Sequence, residues 1–121
     1  MYNILLIDDE DQIRKVISLY LAKHDFAVDT AENGKVGVKK LTEKQYDVLV
    51  TDLIMPEQEG IETIIQVKEK HPDLKIIAIS GGGKKGNLDF LDSAKILGAD
   101  EILKKPFVPS QLLQIINELL D

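Results

Sequence analysis

Cysteine is absent from this 121-residue chain. That excludes disulfides, thiolate metal sites and cysteine nucleophiles, and it fits a reducing compartment. Long apolar runs are absent too. No apolar stretch exceeds five residues, far short of a membrane span. Met1, Tyr2 and Asn3 lack the basic segment and long apolar core of a signal peptide. A soluble, cytoplasmic protein with no membrane partner is expected. Basic side chains are scarce and gather only in pairs, as at Lys39-Lys40, Lys84-Lys85 and Lys104-Lys105. With 15 basic against 21 acidic residues, the net charge is -6. Such a chain repels a phosphate backbone unless its basic groups are massed, so no direct nucleic-acid binding is expected. The length suits one domain, residues 1–121, able to bury a core without staples.

What the chain does have is a repeated alternation of short apolar runs with helical periodicity. Residues 2–7 read as a buried strand. Ile13, Val16, Ile17, Tyr20 and Leu21 then recur on one helical face. Residues 26–30 form a weaker strand, whose polar Asp29 suits a sheet edge. Asn33-Gly34 opens a second helix, with Gly37, Val38 and Leu41 inward. A third strand covers 47–52. Ile61, Ile64, Ile65 and Lys68 mark a third helix, closed near His71-Pro72 because the residue before proline avoids helical backbone. A fourth strand covers 74–79, a fourth helix 88–97, and a fifth strand 100–105. Gly98 suits a left-handed helix end. Pro109 suits the first turn of the last helix, whose inner face carries Leu112, Leu113, Ile116, Leu119 and Leu120. Alternation of this kind implies an α/β fold, a mostly parallel sheet covered on both faces with right-handed crossovers. The glycine-rich stretch 81–86 reads as a loop beside any site at the strand ends.

Five polar residues follow the apolar runs: Asp8 and Asp9, Asp52, Ser80 and Lys105. In open α/β sheets, ligands bind beyond the carboxyl ends of the strands. Three carboxylates, a hydroxyl and an ammonium would converge there. Each has an ordinary role in isolation. Asp8-Asp9-Glu10 can begin a helix, Asp52 can end a strand at a turn, Ser80 can be a loop residue, and Lys105 a solvated surface lysine. Together, at matching strand ends, the ordinary readings need several coincidences. Close carboxylates repel one another unless a cation is present, and Mg²⁺ prefers a few carboxylates, waters and a phosphate oxygen. Lys104 and Lys105 are neighbours, so only one can face the site. His24 and His71 fall at helix carboxyl ends, where the dipole suits them.

The chain resembles the receiver domains of bacterial two-component response regulators. The resemblance covers essentially the whole length. It is carried by Asp8-Asp9, by Asp52-Leu53-Ile54-Met55-Pro56 with Gly60, by Ser80-Gly81, by Ala94 before Gly98-Ala99-Asp100, and by Lys105-Pro106-Phe107. It implies a doubly wound, flavodoxin-like fold: a five-stranded parallel sheet of order 2-1-3-4-5 with five helices. It further implies that Asp52 is the phosphoacceptor. Asp9 and Asp52 would ligate Mg²⁺ directly, Asp8 would help through water, and the Ile54 backbone carbonyl would join them. Ser80 would hydrogen-bond a phosphoryl oxygen. Lys105 would pair with the phosphoryl group, or with Asp52 before transfer, and would precede a cis peptide to Pro106. The implied donor is a sensor histidine kinase or phosphotransfer protein, or a small acyl phosphate. The implied output surface is the face of the fourth helix, fifth strand and last helix, with Lys104, Gln111, Gln114 and Ile115 as candidates. The output would be a separate protein or a further domain; a stand-alone receiver and a fragment of a longer regulator both remain open.

Other functions fit less well. A phosphorylation-independent interaction module on the same fold would not need all five residues. A flavin or nucleotide binder needs a hydroxyl- and glycine-rich loop after the first strand, where Asp8-Asp9-Glu10 stands. A phosphohydrolase of the Asp-x-Asp type needs an acid where Ile54 stands. Three departures from common receiver usage stand out. Ile102 replaces an aromatic residue three positions before the site lysine, so a weaker or different conformational switch is expected. The 81–86 loop is unusually rich in glycine and is expected to gain order on phosphorylation. Ile54 is apolar and cannot orient an attacking water. Ile54→Asn is therefore expected to speed loss of a phosphoryl group from Asp52, measured as the decay of phosphorylated protein; an unchanged decay would contradict this.

Overall fold

The computed structural model describes residues 1–53, 59–80 and 98–121, and for 59–61 and 80 the backbone alone. The expected helix over 88–97 and the glycine-rich loop 81–86 lie outside the described residues. So do Ile54, Met55 and Pro56. The described elements are β1 (Asn3–Ile7), α1 (Asp11–Lys23), β2 (Ala27–Ala31), α2 (Gly34–Glu43), β3 (Val48–Asp52), α3 (Glu59–Lys70), β4 (Lys75–Ser80), β5 (Glu101–Lys104) and α4 (Pro109–Leu120). The strands form one parallel sheet of order β2-β1-β3-β4-β5. Four helices are thus described, against the five expected.

Alternation along the strands sends successive side chains to opposite faces. Leu5, Ile7, Leu49, Ile76 and Ala78 pack on one side with Leu41 of α2 and Ile64 and Val67 of α3. Ile4, Leu6, Val48, Val50, Ile77 and Ile79 pack on the other with Ile17 and Leu21 of α1 and Leu112 and Ile116 of α4. The near-unbroken apolar strands are explained by this double burial: every residue of β3 is buried. β2 is an edge strand and mostly half-buried, as its polar Asp29 suggested. Asp29 accepts hydrogen bonds from the Tyr46 hydroxyl at 2.6 Å and the Lys44 ammonium at 3.0 Å.

Two helix faces depart from the expected stripes. Val16 is 53% exposed and Ile65 is 45% exposed, while Val67 is buried. The sheet contact of each helix is narrower than its apolar periodicity. Ile17 and Leu21, four apart, suffice for α1, and Ile64 and Val67 for α3.

Local chemistry sets the ends of elements. The Asn33 side chain caps α2 by accepting from Val36 N at 2.9 Å. Pro109 begins α4, as expected. At the amino edge of the sheet, two aspartates act as clamps between strands. Asp47 accepts from Asn3 N at 2.7 Å, and Asp100 accepts from Ile76 N at 2.8 Å. The end of α1 is a Schellman turn: Phe26 N donates to Leu21 O and Asp25 N to Ala22 O. Asp25 adopts φ 69° there, a conformation glycine takes without penalty. Gly37, by contrast, is required by packing. A Cβ on it would lie 2.3 Å from Ile7 Cδ1 and 2.8 Å from Ile7 Cγ1, so α2 can approach β1 only without a side chain there.

Two substitutions separate these effects in urea denaturation. Asp25→Gly is expected to raise stability by about 0.5–1 kcal/mol. Gly37→Ala is expected to lower it by about 1–3 kcal/mol, because overpacking Ile7 outweighs the better helix propensity.

Candidate functional site: a buried acid pair held by a lysine

The register of the sheet brings the predicted residues together. Ile7 lies opposite Thr51, so the residues that follow, Asp8 and Asp52, leave adjacent strands side by side. Asp52 lies opposite Ile79, and Ser80 opposite Lys104. All four strand ends therefore open onto one edge. Lys104 is exposed and Lys105 turns inward, as strand alternation requires. The Lys105–Pro106 peptide is cis, as the resemblance implied.

Lys105 is the hub. Its Nζ donates to Asp52 Oδ2 at 2.9 Å and lies 3.7 Å from Asp8 Oδ2 and 3.8 Å from Glu10 Oε1. The Lys105 side chain is 20% exposed, that of Asp52 2% and that of Asp8 0%. Burial works against the lysine's charge. The Asp52 hydrogen bond and the charges of Asp52, Asp8 and Glu10 outweigh it and hold the ammonium above its ordinary pKa.

Asp8 is the strained partner. Its Oδ1 accepts from Glu10 N at 2.9 Å. Among the described residues no hydrogen bond reaches its buried Oδ2. Burial pushes the Asp8 carboxyl from 3.8 up to about 6; the charges of Asp52 and Asp9 push the same way, against the Glu10 amide and Lys105. A buried carboxylate oxygen without a donor, beside two more acids, matches what a hard cation binds. Asp9 and Glu10 are exposed at the rim, and one carboxylate oxygen from each of Asp8, Asp9 and Glu10 lies within 4.8 Å of the others.

Asp8, Asp52 and Lys105 thus meet directly, and Asp9 stands beside Asp8. Ser80 is described by its backbone alone, at the same edge. Ile54 lies outside the described residues. Two residues were not expected from the sequence. Glu10, counted there only as a helix-start acid, faces Lys105. Arg14 donates to the Asp8 backbone carbonyl and pairs with Asp11, tying the acidic loop to α1. A long acid at a helix cap, where short oxygen side chains are preferred, is the one sequence signal that marks Glu10 as unusual, and it does not reveal the contact with Lys105. Beside the site, a groove of about 510 Å³ runs between α1 and residues 105–109, lined in part by Glu10, Ile13, Val16 and Phe107.

A lysine-braced acid pair at the carboxyl edge of a 2-1-3-4-5 sheet is the arrangement that the resemblance to receiver domains implies. Comparison with known proteins agrees. The family model of the response regulator receiver domain matches residues 4–117. The chain is 33% identical over 117 residues to the transcriptional regulatory protein ResD of Bacillus subtilis, covering 97% of this chain and 47% of ResD. A response regulator receiver domain protein from Clostridium thermocellum superposes with a TM-score of 0.90 at 32% identity, over 99% of this chain and 94% of that one. The chemotaxis protein CheY4 of Vibrio cholerae does so with 0.89 at 26% identity, over 98% of each. The chain belongs to the response regulator receiver domain family of two-component systems. It spans about half the length of the curated relatives it matches. No helix among the described residues is long and apolar enough to cross a membrane.

The raised carboxyl carries a pH signature. The folded protein holds the Asp8 proton more tightly than the unfolded chain. Metal-free stability should therefore fall as pH rises from 3.8 to about 6 and stay low above that. Asp8→Asn should recover about 1–2 kcal/mol at pH 7 and almost nothing at pH 4. Denaturant titrations in chelator check this; a variant no more stable than wild type at pH 7 would contradict it.

Proposed function

We propose that this chain is a phosphorylation-controlled switch in which Asp52 is the phosphoacceptor. The observation that carries the reading is the 2.9 Å contact between Lys105 Nζ and Asp52 Oδ2 beside buried Asp8. An Asp52 carboxylate oxygen attacks the phosphorus of a phosphohistidine or an acyl phosphate. The new O–P bond forms as the P–N or P–O bond of the donor breaks, and the imidazole or carboxylate leaves with the electron pair. Lys105 transfers its hydrogen bond to a phosphoryl oxygen, and the Ser80 hydroxyl donates to another. Water later hydrolyses the acyl phosphate, releasing phosphate and restoring the carboxylate.

Asp8, Asp9, Asp52 and the Ile54 backbone carbonyl would hold Mg²⁺. Bound there, the ion supplies charge neutralisation for the anionic phosphoryl group, so catalysis is positioning plus electrostatics. The donor is a sensor histidine kinase or phosphotransfer protein, and the setting is the cytoplasm. The output is a downstream protein or a further domain, reached through the face of β5, α4 and the helix expected over 88–97. The domain acts as a signalling element whose only chemistry is its own phosphoryl transfer and hydrolysis. Ile102 packs against the core on the α2–α3 side. It has no ring to swing, so the change travels through strand-end and loop shifts instead.

Incubation with acetyl phosphate, followed by intact mass measurement, tests the reading. One phosphoryl adduct is expected, requiring Mg²⁺ and abolished by Asp52→Asn. No adduct, together with no binding of a beryllium trifluoride analogue, would refute it.

A further inference from the structure

Glu10 breaks a local rule. It occupies the N-cap of α1, a position that favours Ser, Thr, Asp or Asn, and its side chain makes no capping hydrogen bond. Its carboxylate instead lies 3.8 Å from Lys105 Nζ, with the Glu10 side chain 60% exposed. A helix amino end attracts anions through its free N–H groups and dipole. Here that end is covered by a negative charge at the mouth of the site. Glu10 also borders the groove between α1 and residues 105–109, and the Lys105 ammonium it faces is the one bonded to Asp52 Oδ2 at 2.9 Å. Sequence rules broken without a stability gain tend to mark functional positions.

We propose that Glu10 is a specificity-determining residue for the phosphoryl donor, one that penalises donors in proportion to their negative charge. The inference rests on the phosphoacceptor reading of Asp52. Glu10 Oε1 lies 3.8 Å from the same Lys105 Nζ that lies 2.9 Å from Asp52 Oδ2, so a phosphoryl group arriving at Asp52 and held by Lys105 comes within short Coulomb range of the Glu10 carboxylate. Coulomb repulsion there scales with donor charge and is screened by salt. Small, doubly charged acyl phosphates free in solution are thereby disfavoured. The chemistry at Asp52, with the O–P bond made and the donor bond broken, is unchanged.

The test compares wild type, Glu10→Gln and Glu10→Asp on the full chain. Each is held at a Mg²⁺ concentration shown by titration to be saturating for that variant. Phosphorylation rates are measured with acetyl phosphate and with phosphoramidate, which carries one fewer negative charge at neutral pH. Glu10→Gln should raise the acetyl phosphate rate about threefold at low salt, with a smaller rise for phosphoramidate. The gain should vanish near 1 M salt, where the screening length is ~3 Å. Glu10→Asp, which keeps the charge, should stay near wild type. A Glu10→Gln rate equal to or below wild type overturns the proposal, as does an equal change with both donors. If wild type and variants all fail to take a phosphoryl group from either donor, the phosphoacceptor reading itself falls, and this inference with it.

Discussion

Lys105 is the residue on which the site depends. Two carboxylates with almost no solvent contact, Asp8 and Asp52, leave neighbouring strands at one edge of the sheet. Burying one anion is costly and burying two side by side more so, unless a counter-charge is close. The lysine supplies that charge from a strand two places away, because β4 lies between β3 and β5. Among the described residues the charge balance is incomplete. There one ammonium faces Asp8, Asp52 and Glu10, and the Asp8 Oδ2 that no described hydrogen bond reaches records the deficit. A buried carboxylate oxygen of this kind, beside further acids, has the chemistry that a hard cation satisfies.

The scaffold explains how the deficit is sustained. Helices pack on both sheet faces, so the strands that carry Asp8 and Asp52 are buried up to their last residues. Gly37 lets α2 lie against Ile7, directly before Asp8. Arg14 holds the Asp8 carbonyl from α1. At the opposite edge, Asp47 and Asp100 tie adjacent strands together. Stability contributed there offsets the cost of the acid cluster at the working edge.

Much of this was legible in the sequence because the strong signals are local. Short apolar runs, three ended by Asp or Ser and the fifth strand's by lysine, located four of the strands to within a residue or so, and the weaker second strand was shifted by one. Helix caps at Asn33 and Pro109 followed from side-chain chemistry. The strand order came from resemblance to a family, since spacing alone leaves several orders open. What periodicity missed was depth. Val16 and Ile65 fit an apolar stripe yet lie outside the narrow strip each helix buries. The left-handed Asp25 was missed because a Schellman turn usually advertises itself with glycine. Glu10 was read as one more acid at a helix start; its contact with Lys105 joins residues far apart in the chain, and only the sheet register shows it.

The central claim is that Lys105 compensates the buried charge of Asp52. A double-mutant cycle on metal-free protein at pH 7 tests it most directly, using Lys105→Met, Asp52→Asn and the pair, with stability read from urea denaturation. Lys105→Met is expected to cost about 2 kcal/mol or more in the wild-type background and less than half as much when Asp52 is already Asn. Equal costs in both backgrounds would mean that the lysine and the aspartate are neighbours without coupling, and would contradict it.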